Sequence, residues 1–225
     1  MKVGILLTGH APDTIIPALG DYDTMFARLL EGHGLSYDTY AVVDGVFPDG
    51  PDSADAWLIT GSKHGAYEDH DWIAPLEDLI RAIYRDGRPM VGVCFGHQII
   101  AQALGGKVEK FSGGWVVGPT QYEIDGQSVT LNAWHQDQVV KVPEGAEVIG
   151  SSAFCDTAAL LYGDKVFSVQ PHPEFTSEMM DRLIRTRGRG TVPDALLDAA
   201  TERLDAPVDA QTLADRMADF LKRSS

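Results

Sequence analysis

Hydrophobic residues along this chain follow two rhythms. Short unbroken apolar runs alternate with stretches in which apolar residues recur every three or four positions. Lys2–Leu7, Tyr37–Val43, Asp55–Thr60 and Pro89–Val93 have the length and content of buried strands. Between them, Asp21–Glu31 sets Tyr22, Met25, Phe26, Leu29 and Leu30 on one helical face. Asp71–Tyr84 does the same with Ile73, Leu76, Leu79, Ile80 and Ile83, and Gly87 stops it. Apolar strands alternating with helices predict βαβ units and a mainly parallel sheet covered on both faces, an α/β fold.

The rhythm changes after Gly106. Gln121–Ile124, Ser128–Asn132 and Gln138–Lys141 alternate apolar and polar residues between Gly, Pro and Asn, and predict antiparallel strands added to the parallel core. Ala158–Tyr162 and Lys165–Gln170 predict a hairpin around Gly163-Asp164. A helix is expected from Ser177 to Arg187, and an amphipathic one over Asp209–Lys222 with Leu213, Met217, Phe220 and Leu221 along its face. Between these, Leu196, Leu197 and Leu204 give Gly188–Pro207 the means to pack as a further helix. With no repeat or linker to divide it, the chain is expected to form one domain over residues 1–225, with a helical C-terminal extension from about residue 177.

Composition narrows the function. A chain of 225 residues can bury roughly 70% of its unfolded surface in one core. No apolar run approaches the ~18 residues of a membrane span. Val3–Leu7 resembles the apolar part of a secretory leader, but Thr8-Gly9-His10 follows without a cleavage site, so a buried first strand is expected. Eighteen basic against thirty-three acidic residues leave a net charge of −15, a field that repels nucleic acid and anionic membranes. Two cysteines form no disulfide framework, and a nucleophilic thiol must stay reduced, so a cytoplasmic location is expected. Cys155, in Ser-Ser-Ala-Phe-Cys-Asp, reads as structural.

The candidate chemistry lies at two short segments. Gly92–Gln98 reads G-V-C-F-G-H-Q and joins an apolar strand to a helical pattern, a sharp turn with Cys94 at its tip. Helix N-terminal amides aimed at the sulfur would favour its thiolate. Gly92 and Gly96 bracket the cysteine, either to relieve a strained elbow or simply to let strand and helix pack closely. The second segment, Q-P-H-P-E, supplies His172 as a base and Glu174 as the carboxylate to orient it. If the backbone between them is extended, the two side chains lean the same way. A thiol, an imidazole and a carboxylate point to a cysteine hydrolase. Its oxyanion donors are expected at the Phe95 amide and in the Thr60-Gly61-Ser62 turn. The following residues, Lys63, His64, Tyr67, Glu68 and Asp69, are expected beside the pocket mouth. A competing arrangement gathers Cys94, His97, His135 and His172 around zinc, but the glycines and Glu174 account for the site without metal. Neither a phosphate loop nor a dinucleotide fingerprint is present, so no cofactor is expected.

At these residues the chain resembles the class I glutamine amidotransferases of the Cys-His-Glu type. G-V-C-F-G-H-Q is similar to the family's nucleophile motif, and V-Q-P-H-P-E to its histidine–glutamate motif. L-I-T-G-S-K-H-G-A-Y falls where that family has a strand ending in an oxyanion loop, and Trp134–Val139 resembles the S-H-G-D-x-V segment of its GMP-synthase-like branch. T-G-S-x-H-x-A-Y, C-F-G-H-Q-I-I and H-Q-D-x-V resemble stand-alone members that include plant γ-glutamyl peptidases. The likeness runs from Val3 to about Phe175. It implies a flavodoxin-like three-layer fold, with Cys94 as nucleophile, His172 as base and Glu174 as its partner. It further implies oxyanion amides at Ser62 and Phe95, and substrate contacts at Gln98, Gly113, Gly114 and Trp115. Two positions depart from the pattern: Ser62 replaces the loop's second glycine, and Lys63 a proline.

The resemblance implies hydrolysis of glutamine or another γ-glutamyl amide or peptide through a glutamyl-thioester. The chain stops where a synthase domain would begin, which leaves a glutaminase subunit feeding ammonia to a separate synthase as the alternative. Other cysteine-hydrolase chemistry and a catalytically silent binding or regulatory protein are further readings. Association into a homo-oligomer stays open.

Overall fold

The computed structural model describes residues 1–223, so the last two serines of the segment expected as one domain lie outside the described residues. β1 (Lys2–Leu6) leads through a short helix, α1 (Ile16–Leu19), into α2 (Tyr22–Leu29). The Asp21 carboxylate caps α2 by accepting from the Tyr22 amide. β2 (Ser36–Tyr40), β3 (Ala56–Ile59), α3 (Ile73–Asp86), β4 (Met90–Val93) and α4 (Phe95–Ala103) complete the alternating half. α3 ends at Gly87, whose φ of 78° lies in the left-handed region a helix terminus uses.

The second half supplies β5 (Lys107–Lys110), β6 (Val116–Ile124), β7 (Gln127–His135), β8 (Asp137–Lys141), β9 (Glu147–Ser151), β10 (Ala159–Tyr162) and β11 (Val166–Val169). Nine strands share one sheet in the order β2-β1-β3-β4-β11-β10-β9-β6-β7. β2, β1, β3, β4 and β11 are parallel, and the strands from β10 to β7 extend the sheet in antiparallel fashion. The expected hairpin returns β11 to the centre, where Val169 pairs with Val93 at the end of β4.

Alternation along the strands divides the core into two faces. Val3, Ile5, Ala56, Leu58, Val91, Val93, Phe167 and Val169 meet Phe26 and Leu30 on one side. Leu6, Trp57, Ile59, Met90 and Val166 meet Leu76, Ile80, Ile83, Ile99 and Ile100 on the other. The result is the expected three-layer, flavodoxin-like architecture. No helix among the described residues is long and apolar enough to cross a membrane.

Two expectations change. The second strand stops at Tyr40, because the chain bends at Val42–Asp44 and the Val43 amide donates to the Leu7 carbonyl rather than continuing a ladder. Gln138–Lys141 forms β8 but pairs with β5 in a separate two-stranded sheet. Val108 and Val139 from that pair face the α3–α4 side of the core, so burying them requires crossing over α4 rather than joining the main edge. The helices expected after residue 177 are present. α5 (Ser177–Leu183) widens into a π-type turn at Ile184–Gly188, followed by α6 (Asp194–Thr201) and α7 (Ala210–Leu221). α7 covers the same sheet face as α2, with Phe220 5.9 Å from Phe167 between ring centres.

The join between β4 and α4 is tight. A Cβ added at Gly92 would lie 2.6 Å from the Gly96 carbonyl oxygen, and one at Gly96 would collide with the carbonyl of Ile59 in β3. Because backbone rather than a flexible side chain stands in the way, Gly96→Ala is expected to cost about 1–3 kcal/mol of stability. Urea denaturation checks this, and an unchanged midpoint would show that the helix can back away from the sheet.

Candidate active site

Cys94 occupies the tip of the β4–α4 turn with φ 53° and ψ −104°. It is one of two non-glycine residues with positive φ among the described residues. Three backbone hydrogen bonds hold the turn: Cys94 N–H to Val169 O at 2.9 Å, Gly96 N–H to Thr60 O at 3.1 Å and Gln98 N–H to Cys94 O at 3.0 Å. The neighbouring strand end is fixed in turn by the buried Thr8 hydroxyl, 2.9 Å from the Thr60 carbonyl and 3.1 Å from that of Gly61.

His172 arrives just beyond β11 and is indexed to the antiparallel half of the sheet. Its amide donates to Asn132 O at 2.8 Å, while the Asn132 side chain donates to Phe175 O, also at 2.8 Å. The imidazole stacks on the Phe175 ring, with centroids 3.9 Å apart and planes 6° from parallel. Its Nδ1 lies 2.7 Å from Glu174 Oε1, and both side chains are buried. The Cys94 side chain and the same imidazole face one cavity. Gly61 keeps the space between them open: a Cβ there would lie 3.0 Å from His172 Cε1 and 3.7 Å from Cys94 Cβ.

Burial alone would depress the His172 imidazole. The Glu174 carboxylate and Cys94 sulfur, by charge and hydrogen bond, overcome this and raise it to about 10. The arrangement therefore favours the imidazolium, a proton donor held beside the sulfur. Cys94 and His172 open onto a cavity of about 370 Å³. The amides of Phe95 and Ser62 have no hydrogen-bond acceptor among the described residues, and Ser62 lines this cavity.

The glutamine amidotransferase class-I family model matches residues 52–187, more than half of the chain and inclusive of this site. γ-Glutamyl peptidase 3 of Arabidopsis thaliana is 31% identical over 182 residues, covering 73% of each chain. The chain belongs to the class I glutamine amidotransferase family. It is an enzyme of the glutamine amidotransferase-type hydrolases. A glutamine-hydrolysing GMP synthase of Clostridium acetobutylicum is 29% identical over 69% of this chain but only 31% of its own length. In fold, the chain is similar to a glutamine amidotransferase from Methylobacillus flagellatus, with a TM-score of 0.77 at 20% identity over 98% of this chain and 91% of the other.

Around this cavity, the remaining sequence candidates separate. Trp115 lines the cavity, as do Lys63, His64, Tyr67 and Glu68. Gln98 lines it too, but its amide NH₂ is committed to Asp137 O at 2.9 Å and Gln170 Oε1 at 3.0 Å, leaving only its oxygen to face a ligand. Gly113 lines a different hollow with Phe111, Gln138 and Phe154, and neither it nor Gly114 is among the residues around the Cys94 cavity. The proposed zinc set does not converge. His97 points Nδ1 at Ser168 Oγ, 2.8 Å away, and His135 lies 3.3 Å from Asp137 O. Burial pushes both imidazoles down to about 3, so they are neutral.

Sequence reasoning missed several cavity residues. Tyr22, Lys110, Phe175 and Arg187 come from four distant segments and carried no shared motif. Trp134, His135, Gln136 and Asp137 also line the cavity, and the W-H-Q-D run that resembles the family segment was the signal for them.

The His172 shift has a sign that can be tested. Its folded value exceeds the ordinary 6.5, so the stability it contributes is complete below about pH 6.5 and is lost as pH rises towards about 10. NMR titration of the His172 ring should find the raised value in the parent protein. It should be lower in Glu174→Gln and in Cys94→Ala, since each removes a raising partner while burial persists. An unmoved titration in both variants would sink this electrostatic account.

Proposed function

We propose that this amidotransferase-family protein hydrolyses γ-glutamyl amides and peptides through a glutamyl-thioester on Cys94. The observation that carries this reading is the buried His172–Glu174 pair beside the sulfur of a strained elbow, facing a cavity of about 370 Å³. The Cys94 thiolate attacks the side-chain carbonyl carbon, and the oxyanion is met by the Phe95 and Ser62 amides. As the carbon–nitrogen bond breaks, His172 gives its proton to the departing amine. Neutral His172 then takes a proton from water, which attacks the thioester and releases glutamate and the restored thiolate. Glu174 holds the Nδ1 proton throughout and fixes the ring.

The cavity also suits the substrate class. Its volume falls within the range that encloses small metabolites, roughly 300–1,000 Å³. In a chain of net charge −15, three cations, Lys63, Lys110 and Arg187, line it. Arg187 has no carboxylate partner among the described residues and donates only to the His10 carbonyl, at 3.1 Å. A guanidinium in that state can receive a substrate carboxylate. γ-Glutamyl peptides carry one more carboxylate than glutamine, which favours the peptidase reading. The likeness to a γ-glutamyl peptidase over 73% of both chains supports it as well. The match to part of a GMP synthase supports a second reading, a glutaminase subunit that passes ammonia to a separate synthase in the cytoplasm.

Glutamate release from glutamine and from a panel of γ-glutamyl dipeptides tests both readings. Turnover by the isolated protein is expected, and Cys94→Ala should lower it by on the order of 10⁴-fold while its circular dichroism stays the same. Turnover retained by Cys94→Ala would refute the mechanism. Activity that appears only on adding a synthase would favour the subunit reading.

Specificity is expected to follow the cavity wall. Arg187→Gln should raise KM for γ-glutamyl dipeptides more than for glutamine, and Tyr67→Ala and Trp115→Ala should reorder the preference among leaving amines. Equal proportional losses of kcat/KM across the panel would remove these residues from substrate selection.

A further inference from the structure

We propose that His64, Glu68 and His70 form a binding site for a divalent transition-metal ion of the zinc class at the rim of the Cys94 cavity. This inference does not rest on the hydrolase mechanism, since none of the three takes part in it. Their donor atoms all lie within 4.8 Å of one another. Two imidazoles and one carboxylate are a donor set that zinc-class ions accept in sites keeping an open position.

The spacing suits such an ion. With metal–ligand bonds of about 2.0–2.1 Å, tetrahedral donors sit roughly 3.3 Å apart. Here His64 Nδ1 is 3.4 Å and His70 Nε2 2.8 Å from the same oxygen, Glu68 Oε2. Only small rotations separate this cluster from coordination geometry.

The cluster is also held in place. His64 N–H donates to Ser62 Oγ at 3.2 Å, Glu68 N–H to Gly65 O at 3.0 Å and His70 N–H to Glu68 O at 3.2 Å. The two rings meet edge to face with centroids 4.3 Å apart, and both pack on Trp72. The acidic chain attracts a cation, and the half-exposed donors let it exchange with solvent. Because His64 and Glu68 line the cavity, an ion held here stands at its entrance. The fourth position is left for water or an anionic group of an incoming compound.

Cobalt(II), a coloured substitute for zinc, provides the test. Titration is done on Cys94→Ala protein, which removes the competing thiolate. One tetrahedral cobalt per chain is expected, displaced by zinc. Adding His70→Gln or His64→Ala to that background should weaken binding by about 100-fold or more, with circular dichroism unchanged. Glu68→Gln, which keeps the side chain's shape, should weaken it as well. Absence of cobalt binding to Cys94→Ala protein, or binding unaffected by both histidine variants, would overturn the proposal. The readout is absorption rather than turnover, so this result stands or falls separately from the peptidase reading.

Discussion

The backbone at Cys94 sits at φ 53°, ψ −104°, a region that costs a non-glycine residue of order 1–3 kcal/mol. It persists because its surroundings leave no other path. Val169, Thr60 and the first turn of α4 pin the peptides on each side, and glycines stand wherever a side chain would block the approach. Gly92 and Gly96 admit the helix against the sheet, and Gly61 admits the imidazole beside the sulfur. The parallel core is rigid on both faces, and that rigidity is what keeps one strained residue in place.

Charge is arranged with the same economy. Three histidines lie buried near the site, yet only His172 has a carboxylate within hydrogen-bond reach. His97 and His135 are pushed to neutrality by burial and so do not compete for the proton. Glu174 Oε2 has no partner among the described residues, so the carboxylate spends its polarity on one side, against His172. A buried pair of this kind contributes little to stability on balance; its value lies in fixing the protonation state of one ring.

The parallel core and the segments around Cys94 and His172 were legible in the sequence because each was written locally. Val3–Leu6, Ala56–Ile59 and Met90–Val93 are apolar on both faces, and only a covered central strand needs that pattern. Cys94 and His172 stood out as candidates because G-V-C-F-G and H-P-E put a thiol and an imidazole at strand ends. β8 was misassigned because its alternation shows which face is buried without showing which edge it joins. The α7 stripe of Leu213, Met217, Phe220 and Leu221 was equally legible, and it is continuous with the core. Gly113 and Gly114 seemed adjacent to the ligand, yet neither lines the Cys94 cavity, and the chain around Phe111 turns Gly113 towards another hollow. Arg187 was invisible in sequence. Its position depends on a widened helical turn, and no local pattern announces where such a turn aims a side chain.

The reciprocal link between Asn132 and the His172–Phe175 segment ties these levels together. Cys94 takes its position from the parallel strands, whereas His172 takes its position partly from β7 at the far antiparallel edge. The sulfur-to-imidazole separation is therefore a gauge of alignment between two halves of one sheet, laid down far apart in the chain. A slip of β7 too small to unfold the protein would still open that gap. The outer hairpin, remote from that gap in connectivity, thus acts as the adjusting screw of the Cys94–His172 pair.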